Sequence, residues 1–415
     1  MFMEEEKQKV IEEIKQKLTK QEVKHIYLNF MDYSGNILSK MVGVKELIRN
    51  THVSWLDGIS LNGSLIEDFH LPSVHSDWLV LLPDPTSFRL LPFLTGDQKA
   101  ASIFCSIKEF ALDTRNLLAK VVNEFLAREI TPMVGTQLIY SLSQEERDEK
   151  QNFYATLATN PDTLFNHELV NDLLAADIDI EYYLPYGKKH QRIDLVPDIA
   201  TMAADKLLMA RWFASNMARQ KGYLLEWENL PEDNLSTCPL HLSLWKGKRE
   251  KNLFFDETQE NELSELARNF ISGILTHQKA IKALAKSSTK YPLKNYQTAY
   301  STKRDNSLIQ VPLYFQETQK KDRIGWSKRC IYQGFNADQN IYLGLAAILY
   351  AGLDGISTHQ EKKNANQNRL PKENKIVQES HEELVQALKE DTYLTEKLGE
   401  SIIQKAIQKL GGRKA

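Results

Sequence analysis

Residues 3–20 carry Val10, Ile11, Ile14 and Leu18 at helical spacing with charged residues between them, which predicts an amphipathic helix. Val23–Met31 and Ile37–Val44 read as two strands separated by the turn residues Asp32, Tyr33, Ser34 and Gly35. Trp78–Leu82 and Ala101–Ile107 are continuous apolar runs that predict buried strands. Several short strands with one helix fit a small α+β unit ending near residue 110.

Beyond that point helices and strands alternate. Arg115–Glu129 gathers Leu117, Leu118, Val121, Val122, Phe125 and Leu126 on one broad apolar face, the mark of a helix. Residues 133–142 predict a strand, Leu164–Ala176 a helix and Ile178–Leu184 a strand. A long helix follows over Ile199–Lys221, with Gly222 as its stop signal. Strands at Tyr223–Trp227 and Leu240–Leu244 flank a polar loop, and Leu263–Ala285 reads as one long helix. Residues 286–335 are polar, with strand-like pieces at Ser307–Tyr314 and Arg329–Gln333. A loop rich in Lys, Asn and Gln spans residues 360–375, and residues 381–415 are mostly helical in pattern.

The most apolar stretch is Asn336–Ile356, without a charged residue between Asn340 and Gly352. It predicts a helix buried on most of its faces. Asp338 or Asn340 offers a start cap, and Gly352 or Gly355 an end. Gly344, Ala346, Ala347, Ala351 and Gly352 leave room for neighbouring backbones to approach. At about a dozen residues the charge-free run is too short for a bilayer, which needs roughly 20.

The 415 residues suffice for two or more domains. A formal net charge of −3 gives no reason to expect nucleic acid or an acidic membrane as partner. Cys105, Cys238 and Cys330 lie far apart and form no CxxC pair, so neither a zinc site nor a disulfide framework is indicated. The charged start MFMEEEKQKVIEE is unlike a signal peptide, and the expected location is a reducing cytoplasm. The basic cluster Gly187–Arg192 reads first as a solvated loop, with anion binding as the functional alternative.

The wording of residues 336–356, NADQNIYLGLAAILYAGLDGI, resembles the glutamine synthetase family segment D-x-x-x-N-P-Y-L-A-L-A-A-x-L-x-A-G-L-D-G-I, with Ile341 in place of the family's Pro. The resemblance runs from about residue 22 to about residue 410 and implies an α+β fold. It implies a small N-terminal β-grasp domain over 1–110, led by the 3–20 helix. A larger glutamine synthetase-type domain over 111–415 would follow, with a curved antiparallel sheet flanked by helices.

That family makes an amide from a carboxylate, ammonia and ATP through an acyl phosphate. The resemblance therefore implies a site rich in Glu and Arg around magnesium-type ions. Here the residues depart from it. The strand motif G-x-E-x-E-F reads Gly135–Tyr140, with Gln137 and Ile139 at its two metal positions. Aligning Gln191 with E-x-x-x-G-Q-x-E puts Tyr186 and Ile193 at the glutamates. Asp194 is one residue off, and so turned to the other face of a strand. In G-x-H-x-H-x-S-L the metal-binding His is Pro239, while the substrate-contacting His remains as His241. A lone His on a strand otherwise reads as a structural hydrogen-bonding residue. Leu293 stands at the glutamate-binding Arg, and Asp305 and Gln310 at the two phosphate-handling arginines, with Arg304 one residue early. In E-x-R-x-x-D, Ile331 and Gln333 replace the metal Glu and its neighbouring Arg. Asn62 replaces the Asp that, in the family, reaches a neighbouring subunit's site and takes a proton from ammonium; an amide cannot act as that base. The sequence stops soon after Leu410, where the family's double-ring tail would continue.

These departures predict a catalytically inactive glutamine synthetase-like protein, a pseudoenzyme with a structural, ligand-sensing or regulatory role and no cofactor. Ile139, Ile193 and Ile331 would fill the former cavity, since a buried empty charge site is costly. The expected assembly is a homo-oligomer, or a mixed oligomer with an active paralogue, with neither nucleic acid nor membrane as partner. The alternative is a divergent ATP-dependent carboxylate–amine ligase using Mg and ATP. Its site would be rebuilt from Glu228, Asp233, Asp194, Arg304 and His241. A purely structural subunit of a larger complex is the third reading.

Overall fold

The computed structural model describes residues 4–49, 58–143, 161–186, 190–227, 238–247, 249–288, 296–302, 307–312, 325–358 and 379–411. The chain opens with α1 (Glu4–Lys20), β1 (His25–Met31), β2 (Ile37–Gly43), α2 (Val44–Arg49), β3 (Ile59–Asn62), β4 (Trp78–Pro83), β5 (Arg89–Leu90) and β6 (Ala100–Ile107). Next come α3 (Thr114–Leu126), β7 (Ile130–Ser143), α4 (Pro161–Ala175), β8 (Ile180–Tyr186), β9 (His190–Leu195), β10 (Asp198–Ile199), α5 (Ala200–Gln220) and β11 (Leu224–Glu226). The remainder holds β12 (Leu240–Lys246), β13 (Lys251–Asn252), α6 (Glu265–Thr276), α7 (Gln278–Ser288), β14 (Gln297–Ser301), β15 (Ser307–Gln310), β16 (Cys330–Tyr332), α8 (Ile341–Thr358), α9 (His381–Glu390), α10 (Thr392–Leu398) and α11 (Glu400–Gly411). The class is α+β. The described residues fall into two compact units. The first draws on Met1–Asn116, Ser141–Val196 and Asp205–Glu226, and the second on Leu117–Tyr140, Pro197–Ala204 and Trp227–Ala415.

In the first unit a β-grasp-type sheet has the order β2-β1-β6-β4-β3, with β5 on β6. Its central pair β1–β6 is parallel and the others are antiparallel. The β1–β2 turn closes because the Asp32 carboxylate accepts from the Asn36 amide at 2.8 Å and Gly35 takes φ +88°. Ile26, Leu28 and Phe30 of β1 enter the core, while Asn29 on the alternate face donates to Ser102 Oγ of β6 at 2.7 Å. The buried Arg115 guanidinium donates to Asp205 at 2.7 and 3.1 Å and to Asp84 at 2.7 Å. Burial of Asp84 opposes its ionisation, but Arg115 outweighs that and holds its carboxyl below the usual range.

In the second unit the sheet runs β14-β15-β16-β12-β7, with β13 on β12 and β10 on β7. It is antiparallel except for the parallel pair β14–β15, a departure from the fully antiparallel expectation. Helix α8 forms the core of this unit. Asn340 Oδ1 caps its start, accepting from the Leu343 amide at 3.1 Å. Gly352 and Gly355 do not end it. They lie inside the helix and let α6 approach: a Cβ on Gly355 would stand 2.1 Å from Asn269 O, and one on Gly273 2.1 Å from Ala351 O. With 18 residues α8 is also long and apolar enough to cross a membrane by length and composition, which corrects the expectation that it is too short. Since 72% of it is buried, it serves as a core helix.

Three further elements differ from the sequence reading. The single helix expected over Leu263–Ala285 is two, broken at His277 (φ −92°, ψ 6°), whose ring is held by partners distant in sequence. The strand expected at Ile178–Leu184 is Ile180–Tyr186, and that at Ser307–Tyr314 is Ser307–Gln310. Strand β14 and the start of β9, residues 190–192, come from stretches read as polar loop.

Candidate functional site

Strand register in the second unit sets one lateral row. Gly135 of β7 pairs with His241 of β12, His241 with Ile331 of β16, Ile331 with Gln310 of β15, and Gln310 with Ser301 of β14. Paired residues share a sheet face, and so do residues two apart along a strand. Gln137 and Ile139 therefore join this face from β7, Pro239 from just before β12, and Gln333 from just after β16. The intervening row of Thr136, Leu240, Tyr332 and Ile309 forms the opposite face and is buried. The departed positions Gln137, Ile139, Pro239, Gln310, Ile331 and Gln333 thus converge on one surface with the retained His241.

The chemistry of this surface is neutral wherever the family's metal and arginine positions fall. Gln137, Ile139 and Gln333 are 5%, 1% and 5% exposed. Gln333 Nε2 donates to Gln310 Oε1 at 3.4 Å, so two positions at which the resemblance implies arginines hydrogen-bond to each other. The retained His241 accepts from Arg329 Nε at 3.0 Å through Nδ1. That acceptance fixes a neutral ring with its proton on Nε2. Arg329 also donates to Ser327 O at 3.1 Å. The sequence reading passed over Arg329. The signal that could have found it is parity, because residues 329, 331 and 333 share a face if the segment is a strand.

A magnesium-type ion does not fit these residues. It takes hard, mostly anionic oxygen ligands. Gln137 offers one uncharged oxygen, and Ile139, Ile331 and Pro239 offer none. Among the described residues no three His, Cys, Asp or Glu side chains come together as a ligand set. The three cysteines are buried and unpaired with one another, and burial pushes the Cys330 thiol up to about 12, away from nucleophilic use.

The first unit carries the remaining described positions. In the β8–β9 hairpin Tyr183 pairs with Ile193 and Tyr186 with His190. Tyr186 and Ile193, the two glutamate positions of one family motif, therefore leave opposite faces of the hairpin and do not come together there. Ile193 and Gln191 are fully buried on the Tyr183 face. Asn166 Nδ2 donates to Tyr183 Oη at 3.1 Å, and Tyr183 Oη donates to Gln191 Oε1 at 3.1 Å. Asp194 takes the other face, where Arg192 binds it bidentately, Nε donating to Oδ1 and Nη2 to Oδ2, and lies 5.7 Å over the Tyr186 ring. Asn62 folds back on its own turn, its Oδ1 accepting from the Ser64 amide at 3.1 Å and the Ser64 hydroxyl at 2.6 Å. Leu293, Asp305, Arg304, Glu228, Asp233 and residues 187–189 of the basic cluster lie outside the described residues.

Comparison with known proteins bears on this arrangement. The family model described as glutamine synthetase, catalytic domain, matches residues 111–409. The glutamine synthetase of Thermotoga maritima is 26% identical, covering 96% of this chain and 94% of its own. That of Halobacterium salinarum is 26% identical, covering 93% and 88%. Among solved structures, a novel glutamine synthase homolog superposes with a TM-score of 0.76 at 20% identity, over 94% of this chain and 93% of its own. A chain of a GmaS/ADP complex does so with a TM-score of 0.75 at 18% identity, over 96% and 94%. At those identities the two structures speak to fold alone. The family model covers well over half of the chain, and its segment includes the sheet face just described: this chain belongs to the glutamine synthetase family.

Proposed function

We propose that this family member has lost the family's reaction and serves a structural, ligand-sensing or regulatory role as a pseudoenzyme. One observation carries the reading: Gln137, Ile139, Pro239, Ile331, Gln310 and Gln333 share a sheet face without a carboxylate or an arginine at any of those positions. Phosphoryl transfer from ATP needs metal to bridge the phosphates and cations to hold developing charge. Losing one preorganised charge donor already costs about a hundred- to thousand-fold in rate. The proposed setting is the cytoplasm, as a homo-oligomer or in a mixed oligomer with an active paralogue. The rebuilt-ligase reading draws on Asp194, whose carboxylate is already committed to Arg192, and is the weaker for it.

Calorimetric titration of the full chain with ATP and magnesium tests the proposal. The expected result is no binding heat, with or without EDTA. Micromolar binding abolished by EDTA would overturn it and put the divergent ligase in its place.

A further inference from the structure

His277 occupies the break between α6 and α7, and both of its ring nitrogens face carboxylates. Nδ1 lies 2.7 Å from Asp391 Oδ2 and Nε2 lies 3.2 Å from Asp354 Oδ2. An ionised carboxylate only accepts, so each ring nitrogen must carry a proton, a state that neutral imidazole does not reach. The two partners sit on different parts of the second unit. Asp354 belongs to the buried helix α8. Asp391 stands between α9 and α10, where its Oδ1 also caps α10 by accepting from the Leu394 amide at 3.0 Å. The ring itself is buried, with Tyr393 of α10 tilted against it at 5.6 Å. Nearby charges are otherwise engaged: Lys282 of α7 pairs with Glu379, and Lys397 of α10 pairs with Glu124 of α3. Glu124, Arg128, Glu396 and Asp354 act electrostatically on Tyr393, and Lys279 of α7 is exposed.

We infer that His277 is an imidazolium bolt that couples the docking of the C-terminal helices α9–α11 on the α6–α8 core to pH. Burial on its own would favour the neutral ring. The hydrogen bonds and charges of Asp391 and Asp354 outweigh that burial, and the net direction is a raised pKa. A raised folded value means that the bolt's contribution is fully present below the ordinary imidazole value of about 6.5. It is lost as pH rises through the folded value, when one carboxylate comes to face a lone pair. Helices α9 and α11 pack on α7, and α10 packs on α8. Release of the bolt therefore uncovers Leu384, Leu388, Leu394, Leu398 and Ile402, all now buried.

Two measurements on the full chain test this. Nitrogen-15 NMR of the histidine ring in the unaltered protein is expected to show both His277 nitrogens protonated at neutral pH; a single protonated nitrogen there overturns the inference. Hydrogen exchange of residues 381–411, corrected for intrinsic base catalysis, is expected to rise about tenfold through the His277 transition, the scale of one lost charge-assisted hydrogen bond. In His277→Gln the same segment is expected to be raised at all pH values and flat. A segment whose corrected exchange does not change with pH in the unaltered protein also overturns it, whether or not the variant folds.

Discussion

Ile139→Glu restores one carboxylate at a family metal position and reports whether this face can hold charge. Ile139 is 1% exposed and lies on a surface with no described cation at its family arginine positions. A carboxyl buried without a partner is raised to a pKa of about 8–9 and stays protonated. Its unfolded pKa is about 4.3, so remaining protonated at pH 7 costs about 3.7 kcal/mol of stability. The sign follows from the raised value: the cost is present above the unfolded pKa and relieved as pH falls toward it. At pH 5 it shrinks to about 1 kcal/mol. Losing the isoleucine adds about 1.5–3 kcal/mol at either pH, which cancels when the two pH values are compared. The assay is urea unfolding of the variant and the unaltered chain at both pH values, with and without magnesium. A cost that is equal at the two pH values, or that magnesium removes, would refute the reasoning, because either result means that the face already supplies a partner or a metal.

Two smaller predictions test the scaffold. Gly355→Ala places a methyl 2.1 Å from Asn269 O and 2.7 Å from Gly273 N, both backbone atoms that cannot rotate aside. Overpacking of about 1–3 kcal/mol or more is expected to exceed the helix-propensity gain of about 1 kcal/mol, lowering the urea midpoint; Gly411→Ala, with nothing within 4 Å, is the control that does not. Asp205→Asn removes one of the two carboxylates that neutralise Arg115, and about 3 kcal/mol of destabilisation by thermal unfolding is expected.

The core helix was legible because its apolar pattern is dense and its wording specific. Its end was not. Gly352 and Gly355 carry the usual stop signal, yet here they answer a neighbouring helix, a requirement that appears only once Phe270, Asn269 and Gly273 are in place. The break at His277 was hidden for a related reason. Apolar spacing continues through Leu263–Ala285, and the residues that hold the ring, Asp354 and Asp391, lie 77 and 114 positions away. The start of strand β9 was missed because His190, Gln191 and Arg192 belong to a basic run that reads as a loop, although Ile193 and Asp194 were placed on a strand. The positions that the resemblance assigns to the family's site were read from motif wording. Their convergence was not, because strand order and register bring Gly135, His241, Ile331 and Gln310 into line from segments far apart.

The pattern of replacement has its own logic. In the family, buried carboxylates are tolerable because metals neutralise them, and arginines because phosphates do. Losing only the carboxylates would leave buried cations unpaired, and losing only the arginines would leave buried anions; either is strongly unfavourable. In this chain neither sign stands at the described positions of this sheet face that the resemblance assigns to metal ligands and arginines. Gln137 keeps an oxygen without charge, Ile139 and Ile331 replace charge with hydrocarbon, and Gln333 Nε2 donates to Gln310 Oε1, while the buried Gln333 Oε1 has no partner among the described residues. The one cation the described face retains beside His241, Arg329, donates to that ring and to Ser327 O. On the proposed reading, the stability of the chain no longer depends on metal or nucleotide, since only a ligand bound to the folded state can add to it.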